Sequence, residues 1–166
     1  LMGRPAGGAY VHGQWNPSDY QDETPVRNLS VINGHAVRAM YLFTGMADVA
    51  ALKHDTAYVS ALHRLWDNVV GAKMYVTGGI GSSRQNEGFT ADFDLPNKEA
   101  YCETCASVGM VFWNQRMNQL TGDAKYADVM ERSLYNGALA GISLQGDKFF
   151  YVNPLESDGK HHRQEW

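Results

Sequence analysis

The chain has 166 residues, 44% of them apolar and 19% charged, which excludes a disordered or low-complexity segment and suits one domain rather than two. Eighteen acidic against fourteen basic side chains give a net charge of −4, and the scattered bases offer no basic face, so nucleic acid is not an expected partner. No apolar run approaches the roughly 20 residues a membrane span needs and no signal segment opens the chain, so a membrane is not expected either.

Residues 1–28 are rich in Gly, Pro, Asp and Tyr without a sustained period, which predicts a loop-rich start with at most one short helical turn. From about Leu29 to Ala51 the apolar residues Val31, Ala36, Val37, Met40, Tyr41, Leu42 and Phe43 predict a mostly buried helix, with Thr44-Gly45 as its closing signal. A second helix is expected from an N-cap at Asp55 to about Val70, with Gly71 able to end it. Residues 75–98 are different: Tyr75-Val76-Thr77 runs into Gly78-Gly79-Ile80-Gly81 and then a long polar stretch. A third helix is expected over about Thr104–Leu120 and a fourth over Asp123–Ala140. The alternating, aromatic segment Gly141–Val152 reads as a β-hairpin turning at Gln145-Gly146-Asp147.

An internal repeat underlies this order. Asp55-Thr56-Ala57-Tyr58-Val59 aligns with Asp123-Ala124-Lys125-Tyr126-Ala127, and in the same register Arg64 meets Arg132 and Asn68 meets Asn136. Two copies of helix, Thr-Gly, helix are the pattern of an α/α toroid or solenoid. Two hairpins cannot close a ring. Leu1 is not an initiator Met, and the polar run His161-His162-Arg163-Gln164-Glu165 stops at Trp166, so a piece of a longer protein is the expectation.

The residues able to carry chemistry leave several readings open. The glycine cluster at 78–81 lacks the helix that a dinucleotide loop must open, and reads better as a tight turn presenting Glu87 from a loop. Cys102-Glu103-Thr104-Cys105 could be a redox pair, half a zinc site or buried helix residues. Within a helix Glu103 and Cys105 would lie about 200° apart; they could converge on one ion only with extended backbone there and Thr104 as the N-cap. Cys105 would then sit in the first helical turn, where the dipole favours thiolate. Glu87 and Glu103 are the natural carboxylate pair for glycosidic cleavage, against the usual role of acids as solvated surface. His35 reads as a core histidine or as a donor to a substrate. Trp113, Phe112, Tyr126 and Tyr135 read mostly as core, and His161-His162 as solvated. Two cysteines three residues apart form no disulfide framework and fit a reducing, cytoplasmic setting.

Several blocks together resemble glycoside hydrolase family 127, the bacterial β-L-arabinofuranosidases. They are Tyr75-Val76-Thr77-Gly78-Gly79-Ile80-Gly81-Ser82, Glu87-Gly88-Phe89-Thr90, Asp94-Leu95-Pro96-Asn97 and Glu103-Thr104-Cys105-Ala106-Ser107. Gly34-His35-Ala36-Val37-Arg38-Ala39, Glu131-Arg132-Ser133-Leu134-Tyr135-Asn136 and Arg163-Gln164-Glu165-Trp166 fit the same pattern. The resemblance implies a mainly α fold, with residues 1–166 forming part of a single catalytic (α/α)6 barrel domain and the hairpin near its end. It implies zinc bound by one glutamate and three cysteines, a cysteine thiolate as nucleophile and retaining cleavage through a thioglycosyl intermediate. Carried over by motif, Glu87 is the general acid/base, Glu103 and Cys105 are two of four zinc ligands, and His35, Glu131 and Tyr151 face an arabinofuranoside substrate. The nucleophile and last ligand would come from a paired-cysteine segment beyond Trp166, so the 166 residues alone are expected to be inactive. The resemblance leaves room for a homodimeric parent protein. One departure is Glu23, which stands where a histidine after Gln21-Asp22 is expected. The rival readings are a sugar epimerase on the same scaffold, working without a metal thiolate, and a non-catalytic carbohydrate-binding or structural piece.

Overall fold

A computed structural model describes residues 17–160. His161-His162, expected to be solvated, and the block ending at Trp166 lie outside these residues, as does most of the loop-rich start. Four α-helices carry the described chain: α1 Ala36–Lys53, α2 Thr56–Asn68, α3 Thr104–Thr121 and α4 Ala124–Arg132. Short 3-10 turns at Pro17–Tyr20 and Val26–Asn28 precede them, two helical turns where one at most was expected.

The two halves repeat in structure as they do in sequence. Helix α1 ends on His54 in the left-handed conformation and α3 on Gly122 in the same conformation. In each half the next residue is an aspartate that caps the following helix. Asp55 accepts from the backbone N–H groups of Ala57 and Tyr58, and Asp123 from that of Lys125. Both second helices then loosen into π-helical turns, at Val69–Lys73 and Ser133–Ala138, the latter followed by a 3-10 turn at Leu139–Gly141. Gly71 therefore lies within a helical turn instead of ending one.

Helices α1 and α3 form the centre. Gly109 lets them close up, since a Cβ there would stand 2.6 Å from the Met40 Cβ. Phe43 and Trp113 meet at 5.3 Å between ring centres, among Met40, Met46, Met110 and Met117. The second hairpin packs on the first through Trp66 and Tyr126, edge to face at 4.9 Å, while the Trp66 indole donates to Asn114 Oδ1 at 2.7 Å. Trp113 and Tyr126 are core, as expected, but Phe112 and Tyr135 are exposed.

Three expectations need correction. Helix α1 begins seven residues later than its apolar pattern suggested, because Gly34 is left-handed and pressed against Ser18, and His35 is the N-cap. Thr44-Gly45 closes nothing. Thr44 Oγ1 donates back to the Met40 carbonyl within the helix, and Gly45 faces open space. The β-hairpin near the C-terminus is absent as a strand pair. Ile142 and Phe149 make one isolated bridge around a turn at Gly146, with Leu144, Ile142 and Phe149 exposed, so no further strand or core face extends the ladder.

Candidate active site

The site is built on the long connection between α2 and α3 and is pinned to both ends of that scaffold. The turn Tyr75–Gly79 closes through hydrogen bonds Gly78 N–H to Tyr75 O and Tyr75 N–H to Gly79 O. The chain then folds back so that Ser83 and Gly88 exchange backbone hydrogen bonds, which places Glu87 at the end of the narrow turn between them, beside Gly88. That loop is seated on the start of α1: the Glu87 carbonyl accepts from Ala36 N–H, and Phe89 N–H donates to the Gly34 carbonyl. The seating demands glycine at 88, where a Cβ would lie 1.8 Å from the Gly34 oxygen. Glu87 itself has φ +49, a strained value for a side-chain-bearing residue.

The Glu87 carboxylate, with its side chain 34% exposed, is held at both oxygens. Oε2 lies 3.1 Å from His35 Nε2 and Oε1 3.1 Å from the Tyr101 hydroxyl. Burial pushes the His35 pKa down, reinforced by the charge of Arg38 and opposed by Glu87. A neutral imidazole donating from Nε2 leaves a bare lone pair at the buried Nδ1, which has no partner; the other tautomer would strand an N–H there.

Glu103 and Cys105 lie beyond Tyr101. Glu103 is the N-cap of α3, with extended backbone at φ −59 and ψ 139, and Cys105 is in the first turn. The extended residue is thus Glu103, one position before the cap expected from sequence, and it brings Cys105 Sγ to 3.4 Å from Glu103 Oε2. Glu103 is 1% exposed, with its Oε1 buried and unpartnered. Its pKa is raised by burial, against hydrogen bonds from Tyr151 and Cys105. Burial pushes the Cys105 thiol up to about 12, aided by the Glu103 charge. Tyr151 reaches this pair because the chain after the failed hairpin is strapped to the start of α3, with Thr104 N–H donating to the Tyr151 carbonyl and Glu103 bridging Val152. The rings of Tyr101 and Tyr151 meet edge to face at 6.3 Å and join the Glu87 side of the site to the Glu103 side.

Five of the sequence-predicted residues, His35, Glu87, Glu103, Cys105 and Tyr151, therefore gather in one place. Glu131 does not join them through any described contact. It is exposed on α4 and lines a separate cavity with Asp128, Arg132 and Tyr135. Cys102 is also apart. Its buried thiol, pushed up to about 12, borders a cavity of about 420 Å³ with Thr77, Ser107 and Asn153. Tyr101 was missed from sequence. Its only signal was a place two residues before Glu103 in a non-helical stretch, which says nothing of a partner fourteen residues upstream.

Glu103 and Cys105 fit a zinc ion as far as they go. Carboxylate and thiolate both suit zinc, and two donors of a tetrahedral site with ordinary bond lengths stand about 3.5 Å apart, close to the Glu103–Cys105 separation. The buried, unpartnered Glu103 Oε1 and a thiol unable to ionise by itself near neutral pH are what a divalent cation would satisfy. Among the described residues no three metal-binding side chains converge, so a closed four-ligand site would need further donors.

The comparisons with known proteins decide the family. The family described as "Beta-L-arabinofuranosidase, GH127 catalytic domain" matches residues 9–166. The chain belongs to glycoside hydrolase family 127. A relative in Bifidobacterium longum subsp. longum named "Non-reducing end beta-L-arabinofuranosidase" is 48% identical over 145 residues, covering 87% of this chain and 22% of that protein. Among solved structures, a GH127 beta-L-arabinofuranosidase from Geobacillus stearothermophilus T6 superposes with a TM-score of 0.86 at 51% identity, over 90% of this chain and 25% of that one. Another GH127 beta-arabinofuranosidase gives the same TM-score and identity with 24% of its chain covered. A third structure, titled glycoside hydrolase, gives a TM-score of 0.84 at 37% identity, over 92% of this chain and 29% of that one. This GH127 chain thus spans about a quarter of the length of the relatives it matches, and its fold is the mainly helical one they share over that part. Among its described residues no helix is long and apolar enough to cross a membrane.

Proposed function

We propose that this chain supplies the acid/base carboxylate and half of the zinc site of a retaining glycosidase acting on non-reducing β-L-arabinofuranosyl groups. The observation that carries the proposal is the half-exposed Glu87 carboxylate, held by two donors beside the buried Glu103–Cys105 pair. The names of the relatives supply the substrate class, and the helix–loop–helix repeat is what part of an (α/α)6 barrel would show. Two free thiols fit a reducing compartment, which supports a cytoplasmic setting.

In this reading Glu87 acts as the general acid, giving a proton to the departing glycosidic oxygen as the sugar transfers to a cysteine sulfur. The same carboxylate then takes a proton from water as water displaces the sulfur and releases the sugar. Bound by Glu103, Cys105 and two donors from outside this chain, zinc would hold the nucleophilic sulfur as an oriented thiolate. Cys102 is set apart from that role by its place at the other cavity. His35 keeps one Glu87 oxygen in place, and as a neutral donor it does not compete for the proton. Tyr151 orders the Glu103–Cys105 pair and presents its ring to the site. Glu131 would meet substrate only from the α4 side.

In the intact protein, Glu87→Gln is expected to lower kcat/KM by about 10²–10⁴-fold on an alkyl β-L-arabinofuranoside, and much less on a nitrophenyl one whose leaving group needs no proton, while slower hydrolysis of the glycosyl-enzyme lowers kcat on both. Near-full turnover of the alkyl glycoside would remove Glu87 from this role.

A further inference from the structure

We propose that Tyr101 is the positioning residue for Glu87, its hydroxyl fixing the plane and reach of the carboxylate that exchanges the proton. The inference rests on the acid/base reading of Glu87 and adds a residue to it. A glutamate on a loop is a poor proton donor unless something outside the loop holds it, because its terminal torsion is broad and nearly free. His35 holds Oε2, but His35 sits on the same seam as the loop, where the Glu87 carbonyl accepts from Ala36 and Gly88 bridges His35. His35 therefore fixes the carboxylate only relative to the start of α1. Tyr101 is anchored elsewhere. It comes from the far end of the connection, fourteen residues on, and its hydroxyl donates to Oε1 at 3.1 Å.

The tyrosine is itself well fixed. It is 5% exposed, its carbonyl accepts from the Asn153 backbone N–H, and its ring rests edge to face on Tyr151. The Arg84 guanidinium, on the same loop as Glu87, lies 5.8 Å from the ring centre, within reach of a cation–π attraction. One carboxylate oxygen is thus tied to the start of α1 and the other to the approach to α3. A substrate meets a carboxylate already aimed, with little reorganisation left to the transition state.

The test is Tyr101→Phe in the intact protein, assayed in parallel with Glu87→Gln on alkyl and nitrophenyl β-L-arabinofuranosides. The phenylalanine keeps the ring and its contact with Tyr151, and thermal unfolding checks that the fold is kept. Expected is a kcat/KM loss of about tenfold on the alkyl glycoside and little loss of kcat/KM on the nitrophenyl one, a smaller copy of the Glu87→Gln pattern. Equal losses of kcat/KM on both substrates, or no loss on either, would overturn the positioning role while Glu87→Gln still separates the two leaving groups. If Glu87→Gln fails to separate them, the acid/base reading itself falls and takes this inference with it.

Discussion

The α1–α3 centre and the connection between α2 and α3 are held together by different physics. In the centre the contacts are apolar and nearly solvent-free: Phe43 on Trp113, Met40 against Gly109, with Met110 and Met117 filling the rest. The connection buries charge and polar atoms instead. Lys73 is buried with its Nζ on the Thr90 carbonyl and Asp92, and Glu103 is buried with an unpartnered oxygen. Among the described residues, three of the five side-chain-bearing residues with positive φ, Glu87, Phe93 and Cys102, lie in this connection. The difference teaches where stability resides and where strain is kept: the helices form a rigid wall, and the strained segment on it aims the reactive groups.

The largest effect that would break this contrast comes from the wall. Trp113 is fully buried on α3, so Trp113→Ala is expected to cost about 3–5 kcal/mol in denaturant unfolding of the intact protein, by lost transfer energy and the cavity left behind. A cost below about 1 kcal/mol would mean that the α1–α3 packing collapses around the gap and is not the rigid support argued above.

A smaller effect tests the strain directly. Glu87→Ala and Glu87→Gly both remove the carboxylate and its bonds to His35 and Tyr101, so they differ only in backbone preference. At φ +49 the alanine keeps a strain the glycine lacks, and Glu87→Gly is expected to be more stable than Glu87→Ala by about 1 kcal/mol, both being inactive. In an ordinary helix or strand the order would be reversed. Equal or reversed stabilities would show that the loop relaxes freely and stores nothing.

Legibility in the sequence followed the same division. The aspartate caps at 55 and 123 were readable because a cap depends on residues two or three positions away, and the helices of the wall because their contacts repeat along a period. The start of α1 was not readable, since the Gly34 conformation answers to Ser18 and to the Glu87 loop, neither of which is periodic. The hairpin was over-read from alternating aromatics near Phe149, whose exposed faces give a ladder nothing to pack on. In the site, Glu87, Glu103 and Cys105 stood out through motif blocks, and the condition of extended backbone before α3 was legible from geometry. The partnership of Tyr101 with Glu87 was not, because it links the two ends of an irregular loop.

The smallest effect separates the wall from the seam where the loop meets it. His35 is held neutral by burial, so its pKa in the folded protein lies below the ordinary value of about 6.5 that it regains on unfolding. Below that value the unfolded chain binds a proton the folded one refuses, so this contribution to stability is complete above about pH 6.5 and is lost as the pH falls toward the folded-state pKa. Other groups titrate in the same range, and the slope of the whole protein cannot be assigned to one residue. His35→Gln isolates it, because the glutamine amide can donate to Glu87 Oε2 much as Nε2 does but does not ionise. The variant is expected to lose less stability than the parent between pH 7.5 and 5.5, with the two curves running parallel above pH 7. A parallel course throughout would mean that Glu87 offsets the burial of His35 and lets the imidazole charge in place, which would make the pair an ion pair rather than a neutral donor on a carboxylate.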